Sequence, residues 1–210
     1  MNFDVHRHLN AVERSVSSLV RDGKPARAVI LARSFATTLE DLWDVVTNSE
    51  RIPRWFLPIS GELKPGGRYQ FESNAGGVIN ACEPPARVAV TWEFGEHISW
   101  VEVHCANAEA GLARLGLTHT APLTGHWDEY GPGATGVGWE LALLGLALHL
   151  ARPDAPKPDE AAFVGSPEGK AFIAGSSDAW GRAAIAAGTE ADQARAAARR
   201  TSAFYTGESV

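Results

Sequence analysis

Two spacings of hydrophobic residues divide the chain into helical and extended segments. The helical spacing joins five apolar residues between positions 4 and 20: Val5, Leu9, Val12, Val16 and Leu19. Arg7, Glu13 and Arg14 fall on the opposite side of a helix drawn through these positions. The pattern predicts one amphipathic helix that docks on other structure. The turn-forming residues at positions 21–25 are expected to end it.

The next segment reads as a strand followed by two short helices. Residues 26–35 are a β-prone apolar run, and Thr38 then stands three residues before Asp41. This spacing fits a capping box with Asp in place of Glu, so it predicts a helix start at Thr38. A second short helix is expected over residues 49–56.

Residues 58–121 alternate between apolar and polar positions and are interrupted by turns rich in glycine and proline. Four runs place apolar side chains at every second residue: Tyr69 and Phe71; Val88, Val90, Trp92 and Phe94; Val101, Val103 and Cys105; Leu115, Leu117 and His119. Such one-sided runs predict an antiparallel sheet packed on one face.

A long apolar helix is predicted after a loop at residues 122–135. It covers roughly residues 133–150 and carries two apolar stripes, with only Glu140 and His149 charged or titratable. A helix that is apolar nearly all round must be covered on more than one side. Beyond a linker at residues 152–158, helix-start signals at Ser166 and Thr189 predict a C-terminal helical hairpin.

The composition is that of a globular chain: 210 residues, 45% hydrophobic and 21% charged. The net charge of −6 argues against sequence-independent nucleic-acid binding, which needs a basic face. Cys82 and Cys105 have no CxxC spacing and are expected to be reduced, buried thiols. The N-terminus lacks a signal-peptide pattern, and the longest apolar stretch is shorter than the ~20 residues of a membrane span. A cytoplasmic protein without a membrane span is expected.

The order of strand, short helices, antiparallel sheet and long helix resembles the helix-grip fold of the SRPBCC superfamily. That superfamily includes START lipid-transfer domains, the birch-pollen allergen and polyketide cyclases. Four passages are similar to one branch, the homologues of the ATPase activator of heat-shock protein 90: residues 39–47 (LEDLWDVVT), 52–56 (IPRWF), 63–69 (LKPGGRY) and 115–120 (LGLTHT). The resemblance covers about residues 26–150.

The resemblance implies an α+β helix-grip fold. In that fold a curved antiparallel sheet of about six or seven strands wraps around a long C-terminal helix, here with extra N- and C-terminal helices. Residues 26–150 would form the SRPBCC/START-like domain. Residues 1–25 would be an N-terminal helix docked on its core, and residues 151–210 a linker and helical hairpin docked on the same core.

Members of this superfamily often hold a hydrophobic ligand between the sheet and the long helix. The candidate ligand-binding residues are therefore the inward-facing positions of the sheet, the short helices and the long helix. They are Trp55, Phe56, Tyr69, Phe71, Val90, Trp92, Val101, Val103, Leu117, His119, Trp139 and Leu143. The alternative is that these side chains simply fill a solid core.

His119 is in phase with Leu115 and Leu117, so its imidazole is expected to point inward. There it could contact a ligand or act as an acid or base, or it could be a core histidine bonded to a neighbour. Glu102 and His104 share the opposite strand face without a further ligand, so a solvated face is favoured over a metal site. No catalytic motif, metal site or cofactor is predicted.

The leading hypothesis is binding of a hydrophobic small molecule or lipid, as carrier or sensor. One alternative is a cyclase, aromatase or hydrolase-like enzyme that uses His119. The other is an interaction protein linked to a chaperone or to a transcriptional regulator. The second apolar stripe of the long helix would be covered within the chain or in a homodimer.

Overall fold

The computed structural model describes residues 4–109 and 111–208. Its helices are α1 (Val5–Asn10), α2 (Leu39–Thr47), α3 (Gly125–Tyr130), α4 (Gly133–Ala151), α5 (Glu160–Gly165), α6 (Pro167–Ala186) and α7 (Ala191–Thr206), with a short 3-10 turn at Ile52–Arg54. Its strands are β1 (Glu13–Arg21), β2 (Lys24–Phe35), β3 (Ile59–Gly61), β4 (Arg68–Phe71), β5 (Gly76–Glu83), β6 (Arg87–Phe94), β7 (His97–Asn107) and β8 (Ala113–Pro122).

The eight strands form one sheet in the order β1-β2-β8-β7-β6-β5-β4-β3. The pairs from β3 to β8 are antiparallel. These elements confirm the predicted α+β class and are consistent with the helix-grip fold. The sheet has eight strands rather than six or seven, because the sequence pattern did not predict β1 and β3.

The predicted helix over residues 4–20 is wrong beyond its first turns. Helix α1 ends at Asn10, and Glu13–Arg21 is a strand. The physical reason is the turn that follows, where Asp22 and Gly23 both have positive φ, 52° and 74°. An Asp-Gly pair of this kind makes the two-residue turn of a β-hairpin, so it joins two strands and does not end a helix.

Two further segments differ from the sequence prediction. The helix expected over residues 49–56 is reduced to the 3-10 turn at Ile52–Arg54, because Pro53 lacks an N–H and cannot extend helical pairing. The loop expected at residues 122–135 contains α3, a helix of 6 residues. In contrast, the predicted starts of α2 at Thr38 and of α6 at Ser166 are confirmed. The Thr38 hydroxyl accepts a hydrogen bond from Asp41 N–H, and the Ser166 hydroxyl accepts one from Gly169 N–H.

The chain divides into two compact units. The first contains Met1–Leu31, Pro122–Leu141 and Pro158–Val210, and the second contains Ala32–Ala121 and Ala142–Lys157. The division expected from the sequence, at residues 1–25, 26–150 and 151–210, stays a prediction.

In the first unit, the N-terminal half of α4 is covered by side chains from three other elements. Trp180 of α6 is fully buried, and a Cβ atom on Gly136 would lie 2.1 Å from its ring. The Tyr205 hydroxyl of α7 donates to a backbone carbonyl of α4 at 2.6 Å. The Arg14 guanidinium of β1 donates two hydrogen bonds of 2.6 Å to the Glu140 carboxylate. This half of α4 is therefore covered on several sides, as its nearly all-round apolar character predicts.

Helix α4 has 19 residues and is long and apolar enough to cross a membrane by length and composition. However, Glu140 within it is only 1% exposed and is paired with Arg14. A core helix meets the same length and composition criterion, and a charge paired inside the protein is typical of a core helix. Helix α4 is therefore only weak evidence for a membrane span.

In the second unit, α2 packs through a small apolar face. Leu42 and Val45 are fully buried. The Trp55 indole N–H donates to the backbone carbonyl of Val45 at 2.9 Å. This bond ties the segment after α2 to the helix itself and fixes one of the predicted site residues.

Candidate ligand-binding site

Six ring-bearing side chains of the second unit make a continuous set of contacts, which we call the aromatic row: Trp55, Phe56, Tyr69, Phe71, Trp92 and His119. Ring centroids are 5.6 Å apart for Trp55 and Phe56, 5.0 Å for Phe56 and Phe71, 5.5 Å for Tyr69 and Phe71, 5.7 Å for Phe71 and Trp92, and 6.1 Å for Trp92 and His119. These separations are within the range of favourable aromatic pairs. The structure thus brings together half of the residues predicted for the site.

The aromatic row is only partly covered by protein. Tyr69 is 5% exposed and His119 is 9% exposed, whereas Trp55, Phe56, Phe71 and Trp92 are half-buried. Large rings in a filled core lie against other side chains on all sides. Four rings of the row are instead partly accessible to solvent.

Strand register sets the aliphatic part of the same face. Val90 of β6 lies opposite Val101 of β7, and Val101 lies opposite His119 of β8. Val103 lies opposite Leu117 in the same pair of strands. Because directly opposite residues of paired strands share one face, these five side chains project on the same side of the sheet. The sheet face assigned to these residues from sequence alternation is therefore the face that they occupy in the structure.

His119 is held by a serine of the neighbouring strand. Its Nε2 lies 2.8 Å from Ser99 Oγ, and that hydroxyl donates to the backbone carbonyl of Trp92 at 3.0 Å. A serine hydroxyl has one proton to donate. Since Trp92 O receives that proton, Ser99 Oγ accepts from the imidazole, which assigns a hydrogen to Nε2. The predicted core contact of His119 is thus a hydrogen bond to Ser99.

Burial lowers the pKa of His119 to about 4. Desolvation is the cause, because it disfavours the charged imidazolium relative to the neutral ring. At neutral pH the aromatic row therefore ends in an uncharged imidazole that is already bonded through Nε2.

The stability of the protein is expected to fall by about 2 kcal/mol between about pH 7 and pH 5 through His119 alone. The unfolded imidazole has a pKa of about 6.5 and takes up a proton in this range, whereas the folded one has a pKa of about 4. The lowered folded pKa means that the contribution is complete above about pH 6.5 and is lost as the pH falls towards 4. Urea unfolding across this pH range measures it.

The control for this pH dependence is His119→Asn, which cannot be protonated. Burial and the neighbouring Arg51 and Arg54 also lower the pKa of His149, so the wild type keeps some pH dependence from another source. The difference between wild type and variant isolates His119. Equal pH slopes for both proteins would contradict the prediction.

The hydroxyl of Tyr69 is not directed to a ligand. It donates to the backbone carbonyl of Thr91 at 2.7 Å. Burial raises the pKa of this phenol well above its usual range, so it stays protonated and holds the ring of Tyr69 against the sheet. The ring of Tyr69 is part of the aromatic row, whereas its hydroxyl is used for a hydrogen bond within the sheet.

Two of the predicted site residues come from α4. Leu143 lies in the second unit and is 2% exposed, so it is part of the core. In the same half of α4, a Cβ atom on Gly145 would lie 2.5 Å from the backbone oxygen of Trp55. The helix therefore approaches the start of the aromatic row closely. Trp139 belongs to the first unit and is half-buried; its binding role stays a prediction.

The opposite face of β6 and β7 carries a charge network. Arg87 donates to Glu83 at 2.7 Å and to Glu102 at 2.9 Å, and Glu102 lies 2.5 Å from His104 Nε2. The bond from Arg87 is the main cause that lowers the pKa of the Glu102 carboxyl. Within the described residues, no cluster of three His, Cys, Asp or Glu side chains could hold a metal ion.

Ser99 is the polar site residue that sequence reasoning missed. The signal was present in the two-residue turn at positions 95 and 96, which sets Phe94 opposite His97 and therefore Trp92 opposite Ser99. Extending that register to the next strand pair places Ser99 beside the residues around His119. Alternation alone did not reveal it, because a serine does not stand out on an apolar face.

No protein with a curated description matches this chain, but solved structures do. The crystal structure of CalU16 from Micromonospora echinospora is 29% identical with a TM-score of 0.68, covering 82% of this chain and 98% of that one. Its solution structure is 28% identical with a TM-score of 0.71, covering 84% and 97%. The Aha1 dimer from Colwellia psychrerythraea shares the fold alone, at 12% identity and a TM-score of 0.52, covering 61% and 98%.

A family match covers more than half of the chain. Residues 36–151 match the family described as Activator of Hsp90 ATPase homolog 1-like protein. The matched segment contains α2, most of the sheet and every member of the aromatic row. The resemblance seen in the sequence is thereby confirmed. This chain belongs to the family of Activator of Hsp90 ATPase homolog 1-like proteins, within the SRPBCC helix-grip superfamily.

Proposed function

We propose that this protein binds a hydrophobic small molecule or lipid on the aromatic row and acts as a carrier or sensor for it. The observation that supports this most is the set of four half-buried rings, Trp55, Phe56, Phe71 and Trp92, in contact with one another. Small-molecule sites are mostly apolar surfaces with a few placed polar groups. The aromatic row supplies the apolar surface.

The polar groups near the row fit a ligand without charge. His119 is neutral at neutral pH because burial lowers its pKa to about 4. Ser99 and Tyr69 are already hydrogen-bonded to backbone carbonyls. A charged ligand group placed beside His119, Ser99 or Tyr69 would lose water without gaining a counter-charge from them, which is costly. At the other end of the row, the Lys157 ammonium already donates to the backbone carbonyl of Phe56. The proposed ligand is therefore apolar over most of its surface.

An enzymatic role for His119 has less support than binding. A general acid at neutral pH must carry its proton in the imidazolium form, and a pKa of about 4 leaves very little of that form. A general base with such a low pKa has little driving force to take a proton. Binding needs neither state.

Trp92→Ala is expected to weaken binding of an uncharged hydrophobic probe, N-phenyl-1-naphthylamine, about tenfold. Trp92 is central in the row, in contact with both Phe71 and His119. Removing it deletes the apolar area that a ligand would bury, and about 1.4 kcal/mol corresponds to a tenfold change. Fluorescence titration of the probe measures the dissociation constant.

Trp100→Ala is the matched control. Trp100 is another half-buried tryptophan, directly beside Val101 on β7, and strand alternation points it to the other face. Its replacement should leave probe affinity within twofold of the wild type. Equal losses for the two variants, or no saturable binding by the wild type, would contradict the proposed function.

A further inference from the structure

A cavity of about 320 Å³ lies wholly within the first unit. Its lining comes from β1, β2, α3, the start of α4, α6 and α7. Trp127 and Tyr130 contribute aromatic walls, and Gly181 and Ala184 of α6 contribute small residues. Ala194, Ala197 and Ala198 of α7 also line it, so two helices contribute small side chains to the lining.

Ser177 gives the cavity a chemical preference. It lines the cavity on α6, is 1% exposed, and its hydroxyl has no hydrogen-bond partner among the residues that the structure describes. Leaving a buried hydroxyl without a partner is unfavourable, and most buried side-chain polar groups in folded proteins are paired. A ligand oxygen in the cavity would supply the missing partner.

The charged groups around the cavity are largely balanced. Arg27 donates to the hydroxyl of Ser18. Glu190 caps α7 by accepting from Gln193 N at 2.9 Å, and backbone hydrogen bonds at the start of α7 lower the pKa of its carboxyl. Asp128 adds a second carboxylate. With one guanidinium and two carboxylates, one of them engaged by backbone N–H groups, the lining favours neither an anion nor a cation.

We propose that this cavity is a second binding site, for a small uncharged aromatic molecule whose hydroxyl or carbonyl group pairs with Ser177. Its volume is at the lower end for small-molecule sites, which run from about 300 to 1,000 Å³, so one or two fused rings fill it. Trp127 and Tyr130 are the aromatic residues of the lining, and Ser177 would fix the orientation of the polar group.

This site goes beyond the function proposed for the aromatic row. Every residue that lines the cavity belongs to the first unit, whereas the aromatic row belongs to the second. The two sites can therefore be tested by different variants of the full chain.

The test uses 2-naphthol, a planar uncharged alcohol of two fused rings, titrated into the full chain by calorimetry. The wild type should bind it with one saturable site at this cavity. Ser177→Ala should weaken that binding at least fivefold, because it removes the hydrogen-bond partner. Ala187→Phe should abolish it, since Ala187 lines the cavity at an exposed position where a large ring can be added without disturbing a core.

Ala186→Phe is the control for the blocking variant. Ala186 is exposed and is not part of the cavity lining, so its variant should bind 2-naphthol like the wild type. Thermal melting of each variant verifies that it is folded. The proposal requires both Ser177→Ala and Ala187→Phe to weaken binding. It is overturned if either leaves the affinity unchanged, if the wild type shows no saturable binding, or if Trp92→Ala removes the binding instead.

Discussion

Replacing Glu140 by alanine is expected to lower the free energy of unfolding by about 3–5 kcal/mol. The side chain of Glu140 is fully buried and that of Arg14 is 11% exposed. Their two hydrogen bonds of 2.6 Å form a bidentate pair. Removing Glu140 leaves the Arg14 guanidinium without its counter-charge, although it still donates to the backbone carbonyls of Val12 and Leu9. Chemical denaturation of wild type and variant measures the loss.

The control is Glu62→Ala, which removes an ion pair that is exposed to solvent. Glu62 and Lys64 are 71% and 70% exposed and lie 3.1 Å apart, so their pair should contribute at most about 1 kcal/mol. A double variant, Arg14→Met with Glu140→Leu, should recover much of the stability lost in Glu140→Ala, because no unpaired charge remains. If Glu62→Ala and Glu140→Ala lower the free energy of unfolding by similar small amounts, the predicted importance of the buried pair is contradicted.

The sequence predicted the sheet better than it predicted the first unit. Local alternation determined strands β4, β6, β7 and β8 and the side on which Val90, Val101 and His119 lie. Such alternation is read within a few residues of each position. The helix prediction for residues 13–21 is wrong because apolar residues there fit a helical spacing. The Asp22-Gly23 turn, which makes this segment one strand of a hairpin, lies just beyond them.

Partners distant in the chain explain most of what the sequence did not predict. Glu140 was recognised as unusual in an apolar helix, but its partner Arg14 is 126 positions away. Arg14 falls on the polar side of the helix predicted over residues 4–20, so the sequence pattern does not predict its burial. Arg14 reaches Glu140 of α4 from strand β1, and not from the predicted helix. Ser99, in contrast, could have been found from the hairpin register, since the turn after Phe94 sets its position.

The candidate site shows the same division between local and distant information. The ring-bearing members of the aromatic row were selected from periodicity and resemblance, and the structure joins them through ring contacts. Their degree of cover could not be read from the sequence. Whether a ring is half-buried or buried depends on every element that packs around it, and the proposed binding function rests on this cover.

Gly136→Ala is expected to destabilise the protein by about 3 kcal/mol, against the preference of an isolated helix. Alanine is favoured over glycine by about 1 kcal/mol inside a helix, so the sequence of α4 alone predicts a gain. In the structure, a Cβ atom on Gly136 would lie 2.1, 2.3 and 2.6 Å from three atoms of the Trp180 ring. Trp180 is fully buried, and overpacking a close-packed core costs about 1–3 kcal/mol or more.

Gly125→Ala is the control that separates helix propensity from the steric clash with Trp180. Gly125 begins α3, and an added Cβ atom there would meet nothing within 4 Å. This variant should unfold at the same denaturant concentration as the wild type or slightly higher, whereas Gly136→Ala should unfold at a clearly lower one. Introducing Gly136→Ala into a Trp180→Leu protein should cost less than in the wild type, because the ring that it meets is gone. If Gly136→Ala costs the same with and without Trp180, the close approach of α4 and α6 does not explain the glycine.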